Sequence, residues 1–258
     1  MDLRGSVVVV TGASSGIGWT TACAFARQGS IVVASARREE RLRELVSQIE
    51  AQGGKGLAVP CDVGDLGQVE RLAATVRKEL GRCDVLVNNA GIGQHQPFAR
   101  LPLEEIERLV RTNYLGVLYC TKAFLPMMLE ARRGHVVNVA SFAGRFATPG
   151  HGVYSSTKHA VVAFSESLHF EIAPKGLRAT AVNPWFVSTE GFAHADTLEA
   201  RIAVKPEAVA NLLVRVVKSG KAPEISIPRW LSAFQAVRLL APPVYRLGLK
   251  QIGRTRGG

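Results

Sequence analysis

Seven short runs rich in β-branched residues punctuate the chain: Val7 to Val10, Ile31 to Ala34, Gly56 to Pro60, Val85 to Val87, His135 to Val139, Leu177 to Val182 and Glu224 to Ile227. Most lack the polar alternation of a half-solvated sheet, so they predict strands buried on both faces. Between them, Arg38 to Gln52, Leu66 to Leu80 and Pro206 to Lys218 place apolar residues at three- and four-residue spacing among charges. These segments predict amphipathic helices that cover the strands. Repeated strand, helix, strand units with right-handed crossovers build a mostly parallel sheet with helices on both faces. The expected class is therefore doubly wound α/β, with seven strands. The alternation runs without repeat or low-complexity linker through residue 228, so residues 1–228 read as one domain and 229–258 as an extension.

Composition narrows the class further. The 258 residues are 47% hydrophobic and 21% charged, which excludes a disordered chain, a collagen-like repeat and a disulfide mini-scaffold. Cys23, Cys61, Cys83 and Cys120 are far apart with no CxxC pair, so they read as reduced, buried thiols. Six histidines show no metal-ligand spacing, and no metal is expected. The four valines from Val7 are too short for a secretory apolar region, and no uncharged apolar run of about 20 residues offers a membrane span. The expected location is cytoplasmic.

Lys and Arg number 32 against 21 Asp and Glu, a net charge of +11 that suits nucleic acid, an anionic membrane or an anionic cofactor. Its placement matters. The last thirty residues hold Arg229, Arg238, Arg246, Lys250, Arg254 and Arg256 and no acidic residue, leaving +5 for everything before them. No nucleic-acid-binding motif accompanies the charge, so nucleic acid is not an expected partner.

The first strand runs into Thr11-Gly12-Ala13-Ser14-Ser15-Gly16-Ile17-Gly18 and then a helical pattern. Gly12 permits a tight turn, and Gly16 and Gly18 let backbone and helix approach a pyrophosphate at the helix N-terminus. This is the Rossmann arrangement for a dinucleotide; an ordinary β-turn-α is the plainer alternative. At the end of the second strand, where a carboxylate would hold the ribose of NAD, the chain has Arg37 and Arg38. A guanidinium offers the 2′-phosphate a charge-assisted fork, so the expected cofactor is NADP(H), with NAD(H) second. The two arginines also fit the start of a solvated helix with Glu39 and Glu40.

Tyr154 and Lys158 lie four apart in a helical run and share one face. A neighbouring ammonium would stabilise a phenolate and bring its pKa of about 10 toward working pH, making Tyr154 a candidate acid and base. Ser141 follows a strand at the carboxyl edge of the sheet, where open α/β folds bind ligands, and could orient a substrate oxygen.

Together these motifs resemble the short-chain dehydrogenase/reductase family over residues 5 to 228. Asn88-Asn89-Ala90-Gly91 matches its sheet-stabilising element as well. The resemblance implies a tetrad of Asn113, Ser141, Tyr154 and Lys158, with Asn113 anchoring a water linked to the lysine. It implies cofactor contacts from Gly12, Ser14, Ser15, Gly16, Ile17 and Gly18, from Arg37 and Arg38, and from Asp62 and Val63 near the adenine. Asn89, Ala90, Gly91, Tyr154, Lys158, Pro184, Val187 and Thr189 complete that set. The implied activity is NADP(H)-dependent interconversion of a carbonyl and a secondary alcohol, on a small molecule, by a homodimer or homotetramer. A 3-oxoacyl thioester reductase and a non-catalytic NADP-binding sensor remain as alternatives.

One position departs from the family. Trp185 stands where a glycine usually follows the proline, so its indole must line the substrate pocket or displace the turn. The region 184–205 lacks periodicity and reads as a lid over substrate. Trp185, Phe186 and Phe192 make it apolar, which favours a lipid-like, steroid-like or aromatic ketone. His151, three residues before Tyr154, is a further pocket candidate, as are His95, Phe142 and Phe146; each also fits ordinary packing or surface. Within the extension, Trp230 to Leu240 and Val244 to Leu249, separated by Pro242-Pro243, predict two short helices. They would either place Trp230, Phe234, Leu239, Leu240 and Tyr245 at a membrane surface through 229–250 or pack against another subunit.

Overall fold

In the computed structural model, which describes residues 1–147, 149–188, 203–220 and 223–247, seven strands form one parallel sheet. They are β1 (Val7–Thr11), β2 (Ile31–Ala36), β3 (Lys55–Pro60), β4 (Val85–Asn88), β5 (Gly134–Val139), β6 (Leu177–Pro184) and β7 (Glu224–Ile227). Their order is β3-β2-β1-β4-β5-β6-β7, and every neighbouring pair is parallel. The winding reverses between β1 and β4, which opens a crevice at their carboxyl ends.

Burial on both faces explains why the strands read as apolar runs. Val8 and Val10 face a core with Phe25 of α1 (Gly16–Ala26), Leu42 and Leu45 of α2 (Glu39–Ala51) and Leu213. Val7 and Val9 face the opposite layer, with Leu72 of α3 (Leu66–Leu80), Phe124 and Leu168. Each fully buried side chain of this size contributes about 1.5–3 kcal/mol, so the sheet is clamped from both sides. Both ends of α3 are capped: Asp65 accepts from the Gln68 amide at 3.1 Å, and Gly81 closes the helix in the left-handed region at φ 69°.

Two helices not singled out from the sequence, α4 (Leu103–Val110) and α5 (Gly116–Glu130), are joined by a wider π turn over Arg111–Leu115. The long α6 (Gly152–Ile172) carries Tyr154 and Lys158, and α7 (Pro206–Ser219) lies against α1. A buried polar chain crosses the sheet centre: Asn88 Nδ2 donates to Asn138 Oδ1 at 2.8 Å, and Asn138 Nδ2 donates to Ser165 Oγ at 2.8 Å. It ties β4 to β5 and α6, so the strands bordering the crevice hold their register against the helix that carries Tyr154 and Lys158.

The extension forms α8 (Leu231–Leu240) and a second helical stretch over 242–247. The Pro242-Pro243 pair both separates the two and opens the second, since proline is tolerated in a first turn. Among the described residues no helix is long and apolar enough to cross a membrane. Thr189, Phe192 and most of the expected lid lie outside the described residues, as do 248–258 and the side chain of Phe234.

Candidate active site

The crevice at the β1/β4 junction is built from glycines that nothing larger could replace. Gly12, at φ 66°, has the Ala90 Cα 2.7 Å from where a β-carbon would stand. At Gly18 a β-carbon would fall 2.2 Å from the Gly12 carbonyl oxygen. Strand β1 and helix α1 therefore meet closely enough that the first-turn amides of α1 open onto the crevice. Ser15 at the cap makes no side-chain capping bond, and no acidic residue stands in the first turn. That positive helix end suits a pyrophosphate.

Asn89 locks this turn against β4. Its Nδ2 donates to the Thr11 and Gly12 carbonyl oxygens at 3.0 and 3.3 Å, while the Asn89 and Ala90 amides donate to Thr11 Oγ1 at 3.0 and 3.1 Å. A cavity of about 210 Å³ beside it gathers Gly12, Ser14, Ser15, Arg37, Arg38, Asp62, Val63, Ala90 and Gly91. Nine of the residues expected at a cofactor thus share one cleft. Thr112 and Ile92 also line it; they directly neighbour Asn113 and Gly91, but the sequence assigned neither to the cofactor.

The two arginines differ in setting. Arg38 bonds Ser14, with Nε and Nη2 3.2 and 3.1 Å from Oγ. Arg37 is largely exposed, with Nη1 3.9 Å from Asp62 Oδ2. Asp62 is itself fixed by accepting from the Gly64 amide at 2.9 Å.

Deeper in the crevice the four tetrad candidates converge. Asn113 sits in the π turn, fully buried, and clasps the Ile92 backbone from both sides: the Ile92 amide donates to its Oδ1 at 2.8 Å and its Nδ2 donates to the Ile92 carbonyl at 2.9 Å. A π turn breaks the regular helical bonding, a device common at functional sites. Gly91 is pinched between Asn113 Oδ1 and Lys158 Nζ, which would lie 3.3 and 3.5 Å from a β-carbon there. Ser141 leaves β5 in extended backbone, and its Oγ accepts from the Ala143 amide at 3.1 Å, keeping its proton for another acceptor. Gln94, which sequence reasoning did not find, accepts from the Tyr154 amide at 3.1 Å and so fixes the start of α6.

The charge states depart from expectation. Lys158 is buried and donates to the Val139 carbonyl oxygen at 3.0 Å; desolvation draws its pKa down to about 8. Its Nζ lies 5.9 Å from the Tyr154 ring centroid. Tyr154 is half-buried, and its pKa is raised by desolvation and only partly offset by the hydrogen bond with Ser141. The expectation that the ammonium would lower the phenol is thus corrected for this state. Four-residue spacing brings the side chains together, but the lysine donates one N–H to the Val139 carbonyl oxygen of β5, and burial dominates at both groups.

On the substrate side, Trp185 donates its amide to Ile227 at 2.8 Å, and Pro184 pairs with Ile227 in register, so the turn after β6 remains tied to β7. The indole joins an aromatic cluster, 4.4 Å from Phe142, 5.1 Å from Phe186 and 5.7 Å from Trp230 between ring centroids. Phe142 directly follows Ser141, which puts this cluster beside the tetrad. Val187 bridges to Val204, so the two ends of the expected lid meet. His151 caps α6, its Nε2 3.3 Å from His95 Nδ1.

The short chain dehydrogenase family model matches residues 6–199. The chain belongs to that family. A 3-oxoacyl-[acyl-carrier-protein] reductase from a Synechocystis strain is 38% identical over 189 residues, 73% of this chain and 76% of the relative. Among solved structures, an actinorhodin polyketide ketoreductase variant with NADPH superposes at TM-score 0.82 with 32% identity, covering 88% of this chain and 97% of that one. A short-chain dehydrogenase/reductase from Burkholderia phymatum in complex with NAD superposes at 0.86 with 25% identity, covering 95% and 96%. As a short-chain dehydrogenase, the chain is an NAD(P)-linked oxidoreductase acting between alcohol and carbonyl.

Proposed function

We propose that this short-chain dehydrogenase reduces an apolar ketone to a secondary alcohol, with NADPH as the preferred cofactor. The observation that carries this reading is the convergence of Ser141, Tyr154 and Lys158 with Tyr154 held as a neutral phenol. A raised phenol pKa keeps the proton on Tyr154 near neutral pH, the state a general acid needs to protonate a carbonyl oxygen. When bound, the nicotinamide supplies the hydride.

The chain's own residues do the rest. Ser141, with Oγ already accepting from Ala143, donates a hydrogen bond to the substrate oxygen and orients it toward Tyr154. Lys158, adjacent to Gly91 across the crevice, serves the ribose of the cofactor, and Asn113 holds the Ile92 backbone that borders it. Arg38 and Ser14 form a polar fork at the rim, suited to the 2′-phosphate of NADP. The apolar preference follows from Phe142, Trp185 and Phe186 clustered beside Ser141. Pro184 and Val187 border the nicotinamide end in this reading.

A second reading, reduction of a 3-oxoacyl thioester, is favoured by the names of the relatives and by a net charge of +11 that would attract an acidic carrier protein. Rates of NADPH and NADH oxidation by the purified protein should be compared across aldehydes and ketones of graded hydrophobicity and a 3-oxoacyl thioester, with Tyr154→Phe as control. Turnover with NADPH that rises with apolar size and collapses by about 10²- to 10⁴-fold in the variant is the expected result. Turnover confined to the thioester would select the second reading. NADPH binding without any turnover would mark a sensor.

A further inference from the structure

We infer that the outer face of the extension is a docking surface for an anionic lipid bilayer. Nine large hydrophobic side chains are exposed among the described residues, and five of them, Trp230, Leu239, Leu240, Val244 and Leu247, fall within residues 230–247. Leu239 and Leu240 are 77% and 85% exposed, more than any of the other seven. This is no frayed end. Gln235 Nε2 donates to Glu224 Oε1 at 3.3 Å, Arg238 donates to the Arg145 carbonyl oxygen, and the Ala147 amide donates to the Tyr245 hydroxyl at 3.4 Å. Tyr245 therefore turns inward, 6.2 Å from Phe146, and does not belong to the outward set the sequence suggests. The polar side chains secure the two helical stretches to the body and leave the leucines facing out.

Charge decides what covers that face. Arg229 and Arg246 are exposed beside the apolar residues, and residues 229–258 hold six basic side chains and no acidic one. A second copy docking through the same patch would bring its own Arg229 and Arg246 against a surface that already holds these two exposed arginines, because a twofold interface brings identical surfaces together. An anionic headgroup layer instead complements the charge while its acyl boundary receives the leucines and Trp230, the pattern of an interfacial amphipathic element. Trp230 is 5.7 Å from Trp185, so a docked protein would hold its aromatic cluster near the bilayer surface. Only that last consequence depends on the proposed substrate; the docking does not.

The test is flotation of the full chain with vesicles, with no substrate or turnover involved. The parent protein should float with phosphatidylserine and phosphatidylcholine vesicles at low salt, stay below with phosphatidylcholine alone, and be released by high salt. Leu240→Glu combined with Val244→Glu should cut the floated fraction about 10-fold while leaving NADPH binding and the circular dichroism spectrum unchanged. Equal flotation of parent and double variant would overturn the inference, as would no flotation of the parent at low salt. So would sedimentation in which the double variant splits a dimer that never bound vesicles, since the face would then be a subunit interface.

Discussion

Arg38 reaches across the mouth of the crevice to Ser14, its Nη2 3.1 Å from Oγ and 3.2 Å from the carbonyl oxygen. Arg37, next to it in sequence, extends into solvent with 63% of its side chain exposed and only a 3.9 Å approach to Asp62. Adjacent residues of one type are thus unequal, because Arg38 is already ordered against the phosphate-binding turn and Arg37 must be ordered on binding. Hydrogen bonds to a charged group are worth about 1.5–3 kcal/mol, so Arg38→Ala should raise the KM for NADPH by about 10- to 100-fold. The KM for NADH should barely move, and Arg37→Ala should cost only a few-fold. Initial rates with both cofactors check this; an Arg37 effect larger than that of Arg38 would reverse the assignment.

Lys158 carries a burial penalty that turnover demands and stability does not. Its folded pKa is about 8, below the ordinary 10.5, so the unfolded chain binds the proton more tightly. The penalty is complete below pH 8, shrinks as pH rises toward 10.5 and is gone above it. Its size at neutral pH is about 3 kcal/mol. Lys158→Met should therefore melt higher than the parent at pH 7, with the gap closing toward pH 10.5, while turnover is lost. Thermal melts across that range decide it, and a variant that melts lower at every pH would show that the bond to Val139 matters more than desolvation.

His135, buried in β5 with Nε2 2.8 Å from Thr180 Oγ1, makes the opposite edge of the pH range costly. Desolvation, helped by the Arg178 charge, takes its pKa from 6.5 down to about 3, so the folded protein holds it neutral. Folding then loses stability as pH falls from 6.5 toward 3, by up to about 5 kcal/mol, because only the unfolded chain takes up the proton there. His135→Gln, which keeps a partner for Thr180, should shift the acid unfolding midpoint to lower pH. Unfolding followed by circular dichroism during acid titration measures the shift; identical midpoints would assign acid unfolding to other groups.

The positions of the strands were legible because a parallel sheet buried on both faces leaves runs such as Val7 to Val10 with no polar interruption. The glycine turn was legible for a related reason: close approach at Gly12 and Gly18 admits no β-carbon, so the requirement is written directly in residue type. What escaped depends on partners distant in sequence. Gln94 acts on Tyr154 sixty residues away, and Lys158 reaches the Val139 carbonyl on a different element. A four-residue spacing specifies a shared helix face but not which carbonyl accepts a hydrogen bond from the ammonium or how much water surrounds the phenol. Hence the shared helix face of Tyr154 and Lys158 could be read from the sequence, while the direction of the Tyr154 shift could not.

Trp185 stands where the family resemblance leads one to expect a glycine, and its packing makes replacing it costly. The indole is half-buried between Phe142, Phe186 and Trp230, so it couples the segment after Ser141 to the start of the extension. Full truncation of a core tryptophan costs about 3–5 kcal/mol, and a half-buried one correspondingly about 2 kcal/mol. Trp185→Gly should lower the melting temperature by several degrees, because glycine also restores freedom to the unfolded chain. Its catalytic effect should be selective. Space opened beside Ser141 admits larger groups, so kcat/KM for bulky ketones relative to small ones should rise about 10-fold, the scale on which pocket volume discriminates substrates. Trp185→Phe, retaining an aromatic contact with Phe142, should fall between the two. A parallel loss of activity on small and bulky ketones would place the indole outside the pocket wall and leave it only the packing role.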